Sequence, residues 1–478
     1  MARPVLSVLA LAAVCLPAFP QSFTVETMLK LARISEPQLS PDGATVAFTV
    51  QTVDVEKNTK PRQIYTVAVN GGGAPRRITN DGNNERPRWT PDGKRIVFIS
   101  SRGGSAQVWS MNPDGADANA LTNISTEAGG VLVSPDSKYV VFTSSVFPEC
   151  SLSGAVDDAC NKKRIDDEAK SKSHARVYTS LLYRHWTDWQ GKRRQHLLSI
   201  PIGGGPVKDL TPGNRDIPPF SLAGNDDYAI APESNEVAYV INTDPEPAVS
   251  TNSDLYVAPI GGGESKRITF NAGADNGPIY SPDGKYLAYR SQDRPGYESD
   301  RWRLIVLERA TGKTSVLTEN LDRPVGGITW SPDSKRIFFV AEDRGRHQLQ
   351  MVAATGGGSR SIVAGDVSVD DARFIDAHGH RLGVPRCGVP AISCVPVTIS
   401  SGHEELVFVG VGEARAVVFN HNLHKLIGAE RRQHADHNCA LAVLAGVVDE
   451  IGHHLQQIFA LAAKSHVAFG FDRNVHRF

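Results

Sequence analysis

Short apolar runs opened by a lysine recur along the chain: Lys94-Arg95-Ile96-Val97-Phe98-Ile99, Lys138-Tyr139-Val140-Val141-Phe142-Thr143, Lys285-Tyr286-Leu287-Ala288-Tyr289-Arg290 and Lys335-Arg336-Ile337-Phe338-Phe339-Val340. They have the length and side-chain types of half-buried strands. A fixed phrase precedes each of these runs and recurs twice more: Ser40-Pro41-Asp42-Gly43, Thr90-Pro91-Asp92-Gly93, Ser134-Pro135-Asp136-Ser137, Ala231-Pro232-Glu233-Ser234, Ser281-Pro282-Asp283-Gly284 and Ser331-Pro332-Asp333-Ser334. Proline at the second position of a type I turn presets φ, and the other three residue types suit the remaining corners. The prolines step by 50, 44, 97, 50 and 50 residues, and the double step reads as two periods with one copy lost.

A second phrase closes each unit. Gln63-Ile64-Tyr65 leads through Gly71-Gly72-Gly73 to Arg77-Ile78-Thr79, and His196-Leu197-Leu198 leads through Gly203-Gly204-Gly205 to Leu210-Thr211. Leu121-Thr122, Ile268-Thr269, Leu317-Thr318 and Ile362-Val363 end the others. Each is a strand, a hairpin and a return strand. With the turn and the strand after it, every unit becomes a four-stranded antiparallel blade. Six are legible between about residues 40 and 363. A sustained repeat of this length predicts an all-β propeller over residues 23–373 rather than an open sandwich. A truncated seventh blade follows the six.

The third unit is longer, with extra sequence over residues 146–195. It holds Cys150 and Cys160 in one loop, a charged stretch from Asn161 to Ser173 that reads as a helix, and Tyr183-Arg184-His185-Trp186-Thr187-Asp188-Trp189. Long insertions in a compact fold are functional or disordered, and this density of aromatic and cationic groups argues against disorder. Taken alone, each of these residues has a plainer reading as packing, with Arg184 and Asp188 as a surface pair.

Residues 1–22 read as a secretory signal: Arg3, an apolar run from Val5 to Ala18, then Pro20-Gln21-Ser22. The run is too short to span a membrane, so a periplasmic or secreted location is expected. In that setting Cys150 and Cys160 are expected to form a disulfide. With 51 basic against 52 acidic residues, nothing points to nucleic acid or an anionic membrane.

The repeat phrase alone is shared with propellers of the TolB type. The flanks are more specific. Glu26-Thr27-Met28-Leu29-Lys30-Leu31-Ala32-Arg33-Ile34-Ser35, Leu182 to Trp189, Asp209-Leu210-Thr211-Pro212-Gly213 and Ile217-Pro218-Pro219-Phe220 together resemble the secreted prolyl-oligopeptidase family of serine peptidases, in its dipeptidyl-peptidase and acylaminoacyl-peptidase branch. The resemblance covers about residues 24 to 373. It implies a propeller that covers an α/β-hydrolase domain and filters peptides on their way to it. It also implies that Tyr183, Arg184, His185, Trp186, Asp188 and Trp189 lie near the substrate cavity or the hydrolase interface. A stand-alone TolB-like binding scaffold is the alternative.

The pattern stops after Phe374, where a turn phrase is due and Ile375-Asp376-Ala377-His378-Gly379-His380 stands instead. Residues 371–478 hold 11 of the 15 histidines and no tryptophan or tyrosine. These 108 residues are too few for the βαβ units of a hydrolase, and no Gly-x-Ser-x-Gly occurs in the sequence, so no catalytic residue is nominated. Three readings of 374–478 are weighed: a non-native C-terminus after a frame change, a metal site built on Asp376, His378, His380, His434, Asp436, His437, His453 and His454, and an ordinary accessory segment. The first is preferred, because repeat and composition fail together. Neither a metal nor a cofactor is expected.

Overall fold

The computed structural model describes residues 23–363 apart from 70–73, 153, 174, 180 and 221–226, together with Val369 and short strands between 372 and 417. The expected signal segment, the first glycine hairpin and the histidine candidates of the tail lie outside the described residues.

The fold is all-β, with six four-stranded antiparallel sheets in chain order, each with neighbouring strands paired in sequence. The first blade is built from Arg33–Leu39, Thr45–Gln51, Arg62–Ala68 and Arg76–Arg77. The next five occupy residues 84–120, 129–209, 228–267, 275–316 and 325–363. Six phrases therefore make six blades, and the expectation of a lost copy is corrected. The 97-residue step belongs to one blade, whose second strand Tyr139–Val146 and third strand Arg194–Pro201 pair without a break across the insertion. After the sixth blade, Ala372–Asp376 pairs with Glu404–Phe408, which also takes Ser400–Ser401.

The turn phrase owes its composition to a closed set of hydrogen bonds. In the fifth blade the Ser281 hydroxyl donates to Asp283 Oδ1 at 2.7 Å and accepts from Tyr286 N at 2.9 Å, while Asp283 Oδ1 accepts from Lys285 N at 3.1 Å. Thr90 and Asp92, Ser134 and Asp136, and Ser331 and Asp333 repeat the pattern. Only the fourth copy lacks it, because Ala231 brings no hydroxyl. The closing threonine has an equally local role. Thr79 Oγ1 accepts from Ile64 N at 2.8 Å and donates to Gln63 Oε1 at 2.8 Å. Thr122, Thr211, Thr269 and Thr318 accept the same strand N–H in their own blades.

Packing between blades makes the core. Five apolar clusters each join neighbouring blades, from Ala47 and Ile64 against Trp89 and Phe98 to Ile279 and Leu304 against Trp330 and Phe339. The first and sixth blades each carry one further cluster of their own, around Phe48 and around Phe338 with Val369.

Because the strands within a blade alternate in direction, its connections leave on opposite sides. The Ser-Pro-Asp-Gly turns and the glycine hairpins share one side, the turn face. Connections between second and third strands, and those from blade to blade, share the other, the loop face. Neighbouring turns touch: Ser234 Oγ accepts from Asp136 N and Ser334 Oγ from Asp283 N, both at 3.0 Å. These serines sit at φ of 60° and 59°, where glycine stands in other copies, so each inter-blade bond is made from a backbone conformation that favours glycine.

Candidate functional site

The insertion is anchored before it is exposed. Helix α1, Asp158–Lys170, is capped by Asp157, whose Oδ1 accepts from Cys160 N at 2.9 Å. It begins three residues earlier than the charge pattern suggested, because the cap and Ser125 fix its start: Asp158 accepts from Ser125 N at 2.7 Å and from its hydroxyl at 2.9 Å. Buried Asn161 accepts from Phe147 N at 2.9 Å. Cys150 and Cys160 are joined by a disulfide with Cα atoms 5.6 Å apart. Lys162–Asp166 and Lys163–Asp167 pairs line the solvent side of the helix.

Beyond this base, Arg184–His185 and Asp188–Trp189 form a two-stranded hairpin, pairing Arg184 with Trp189 and His185 with Asp188. Trp186 stands at its tip with φ of 50° and is 83% exposed. Tyr183 and Trp189 are 39% and 46% exposed. The rings nevertheless gather. Tyr178 and Tyr183 lie 5.2 Å apart, and both stack near Trp189, at 6.1 and 6.0 Å. Arg176 and Arg184 place guanidinium groups over Trp189 at 5.2 and 5.5 Å. His185 meets Trp186 and Phe220 edge-on, tying the hairpin to the Pro-Pro-Phe segment. At its foot, Asp216 accepts from Gln190 Nε2 at 2.8 Å and from Gln195 N at 2.9 Å. The six residues singled out in the sequence thus come together with Arg176, Tyr178 and Phe220, which it had not singled out. Arg176 and Tyr178 stand seven and five positions before Tyr183 and Phe220 stands 31 after Trp189, so nothing local marks them as one cluster.

The hairpin is the densest part of a wider asymmetry. Among the described residues, the exposed large apolar side chains fall on loop-face connections (Val55, Leu152, Val177, Leu181, Val249, Phe270, Tyr297 and the hairpin rings), on the segment ahead of the first strand, or at Val316 on an outer strand. None of the described turns or glycine hairpins carries one.

Two buried groups on this side have chemistry of their own. His196 Nδ1 lies 2.6 Å from Asp209 Oδ2, and its Nε2 lies 2.9 Å from the Gly213 carbonyl. Ser151 Oγ donates to the same Asp209 oxygen at 2.5 Å. The residue types are those of a hydrolytic triad, but the order is wrong. The carboxylate stands between serine and imidazole, so no base contacts the hydroxyl, and all three are fully buried. This network clamps the insertion to the closing strand. The second group is Asp275, whose carboxyl burial pushes up to about 7. Among the described residues, no three His, Cys, Asp or Glu side chains converge as a metal cage.

Comparison with known proteins agrees with this architecture. Residues 28–162 match the family model of the TolB beta propeller domain. The chain is 34% identical over 376 residues to dipeptidyl-peptidase 5 of Porphyromonas gingivalis, covering 76% of this chain and 53% of that protein. Dipeptidyl-peptidase 5 of Porphyromonas endodontalis is 32% identical over 337 residues, covering 64% and 46%. In fold, the chain resembles the acylaminoacyl peptidase of Pyrococcus horikoshii, with a TM-score of 0.54 at 14% identity over 86% of this chain and 55% of that one. The chain spans about half the length of the curated relatives it matches. The likeness to the propeller portion of the dipeptidyl-peptidase and acylaminoacyl-peptidase branch is therefore borne out.

Proposed function

We propose that this chain is the propeller part of an exported serine peptidase of the dipeptidyl-peptidase and acylaminoacyl-peptidase type, and that its loop face meets the α/β-hydrolase domain and admits peptides to it. The observation that carries the reading is the 376-residue homology to a dipeptidyl-peptidase 5, and the one-sided distribution of exposed aromatic groups supports it. Such a face suits an extended peptide. Rings offer apolar area at low entropic cost, and Arg176 and Arg184 can donate to peptide carbonyl or carboxylate oxygens while stacked on Trp189. Selection would be by size, admitting peptides and excluding folded proteins, as the likeness to that peptidase branch implies.

The chemistry itself is assigned elsewhere, because these 478 residues hold no Gly-x-Ser-x-Gly. The purified chain should leave dipeptidyl and acylaminoacyl amides uncut and should not react with a fluorophosphonate. Hydrolysis that a serine-directed inhibitor blocks would overturn this assignment. Photoreactive peptides should label the 176–189 region in preference to the turn face, and Trp186→Ala with Trp189→Ala should abolish that labelling. Labelling confined to the turn face would overturn the gating role.

A TolB-like binding scaffold is the second reading, favoured by the family model over residues 28–162. A pull-down from envelope extract separates the two. A stoichiometric partner kept after deletion of 183–189, but lost when the glycine hairpins are altered, would favour the scaffold.

A further inference from the structure

The junction between the first and second blades is closed by a box of four polar side chains. Asn84 Nδ2 donates to Gln63 Oε1 at 3.0 Å, Thr79 Oγ1 donates to the same oxygen at 2.8 Å, and Ser100 Oγ donates to Asn84 Oδ1 at 2.7 Å. Arg102 adds a further donor to Asn84 Oδ1 at 2.9 Å. Backbone pairing identifies the equivalent box between the fourth and fifth blades. Thr269 accepts from Leu255 N as Thr79 does from Ile64 N, and Asp275 pairs with Ser291 as Asn84 does with Ser100. Asp254 therefore stands for Gln63, and Asp275 for Asn84.

The substitution removes the donor that closes the box. Asp254 and Asp275 are both fully buried, and neither Asp275 oxygen accepts a well-formed hydrogen bond, although the Thr269, Asn271 and Ser291 side chains stand close to it. Thr269 Oγ1 reaches Asp254 Oδ1 only at 3.5 Å, and Ser291 turns its hydroxyl to the Gln292 carbonyl at 3.3 Å. Arg267 pairs with Asp254 Oδ2 at 2.7 Å, which leaves Asp275 as the carboxylate without a counter-cation among the described residues. A further buried acceptor without a partner stands on the neighbouring segment: Asn252 Oδ1, whose amide nitrogen is held by Asp244 at 3.1 Å. The segments that carry Asn252 and Asp275 lie side by side through the Ser253–Ala274 bridge and the Asp275 N to Ser253 O bond of 2.8 Å. Asn252 also lines a cavity of about 400 Å³ on the loop face, together with Asp244, Glu246 and Ser250 and without a basic side chain.

We propose that the junction of the fourth and fifth blades binds a hard cation of the calcium class, with Asp275 as its anchoring carboxylate and the buried oxygens of Asp254 and Asn252 offered by the neighbouring segment. An acceptor-only set of carboxylate and amide oxygens suits Ca²⁺, which takes oxygen donors in flexible geometry, and suits zinc poorly. The acid-lined cavity reaches Asn252 and carries no opposing cation. Burying a carboxylate without a counter-charge is costly, so a cation there ties two blades together where the first junction uses an amide.

The test is thermal unfolding of the whole chain after treatment with EDTA. Millimolar calcium chloride should raise Tm by about 3 °C or more, and titration calorimetry should give one equivalent bound. Asp275→Asn should unfold at a higher temperature than the metal-free parent and no longer respond to calcium. If that variant fails to fold, Asn252→Ala keeps the question open to measurement and should weaken the calcium response at least tenfold in apparent Kd. A Tm indifferent to calcium and magnesium overturns the proposal. So does a calcium response that survives Asp275→Asn, and so does a Tm that follows pH alone, which would mean that a proton serves there.

Discussion

The turn face and the loop face are made from the same strands and differ in how their ends are satisfied. On the turn face each connection completes its own hydrogen bonds, as Ser281, Asp283 and Tyr286 do, and neighbouring turns join through Ser234 and Ser334. On the loop face the connections are longer, leave apolar rings in solvent, and hold the buried carboxylates whose partners are incomplete. Groups that satisfy one another rigidify a ring. Groups left with spare capacity are the ones that can bind.

The sharpest way to break this contrast is to exchange burial for exposure. Phe339 is fully buried between the fifth and sixth blades, whereas Trp186 is 83% exposed at the hairpin tip. Phe339→Ala should cost about 3–5 kcal/mol in denaturant unfolding. Trp186→Ala should change stability by less than about 0.5 kcal/mol, and a loss comparable to that of Phe339→Ala would mean that the hairpin is core.

Acid chemistry separates the faces next. The Asp275 carboxyl is raised from its ordinary value to about 7 by burial. In the metal-free protein, the folded state therefore holds an extra proton between roughly pH 4 and pH 7, and stability falls as pH rises through that window, by up to ~1.4 kcal/mol per pH unit. Asp275→Asn should flatten this limb. The turn aspartates act in the opposite sense. Asp42 is lowered by the Ser40 hydroxyl and the Ala44 N–H, and Asp92 by the Thr90 hydroxyl, so their contribution is lost as pH falls through their depressed values. Urea midpoints from pH 3 to pH 8 in EDTA check both limbs.

Removing the disulfide tests the anchoring of the insertion. Cys150→Ser with Cys160→Ser should cost about 2 kcal/mol and speed tryptic cleavage between Lys162 and Arg176, while cleavage within the blades stays unchanged. The smallest expected effects concern the turn phrase. Ser281→Ala should cost about 1 kcal/mol, and Ala231→Ser, which returns a hydroxyl to the copy that lacks one, should gain a few tenths to about 1 kcal/mol. Equal and opposite shifts in thermal midpoint would show that the phrase acts turn by turn.

Legibility in the sequence followed the range of the interactions. The turn phrase and the Ile-Thr closing phrase were readable because their bonds span five residues in one case and a single hairpin in the other, so each copy repeats the whole device. The insertion was found because it interrupted the repeat, and its aromatic block was visible as composition. The convergence of Arg176, Tyr178 and Phe220 on that block was not, because they reach it only after the chain folds back. The 97-residue step misled for a related reason: spacing counts residues, whereas the pairing of Tyr139–Val146 with Arg194–Pro201 depends on which strands meet.

By itself, the sequence determined the propeller, the number of its legible blades, the place of the insertion and the family it resembles, since each rests on local chemistry repeated at a regular interval. Only the tertiary structure decided that exposed apolar groups gather on one face, that Ser151, Asp209 and His196 form a clamp rather than a triad, and that Asp254 and Asp275 occupy a box built elsewhere from amides. Those outcomes depend on which residues from different blades are brought together, and on which of their polar atoms find a partner once water has been removed.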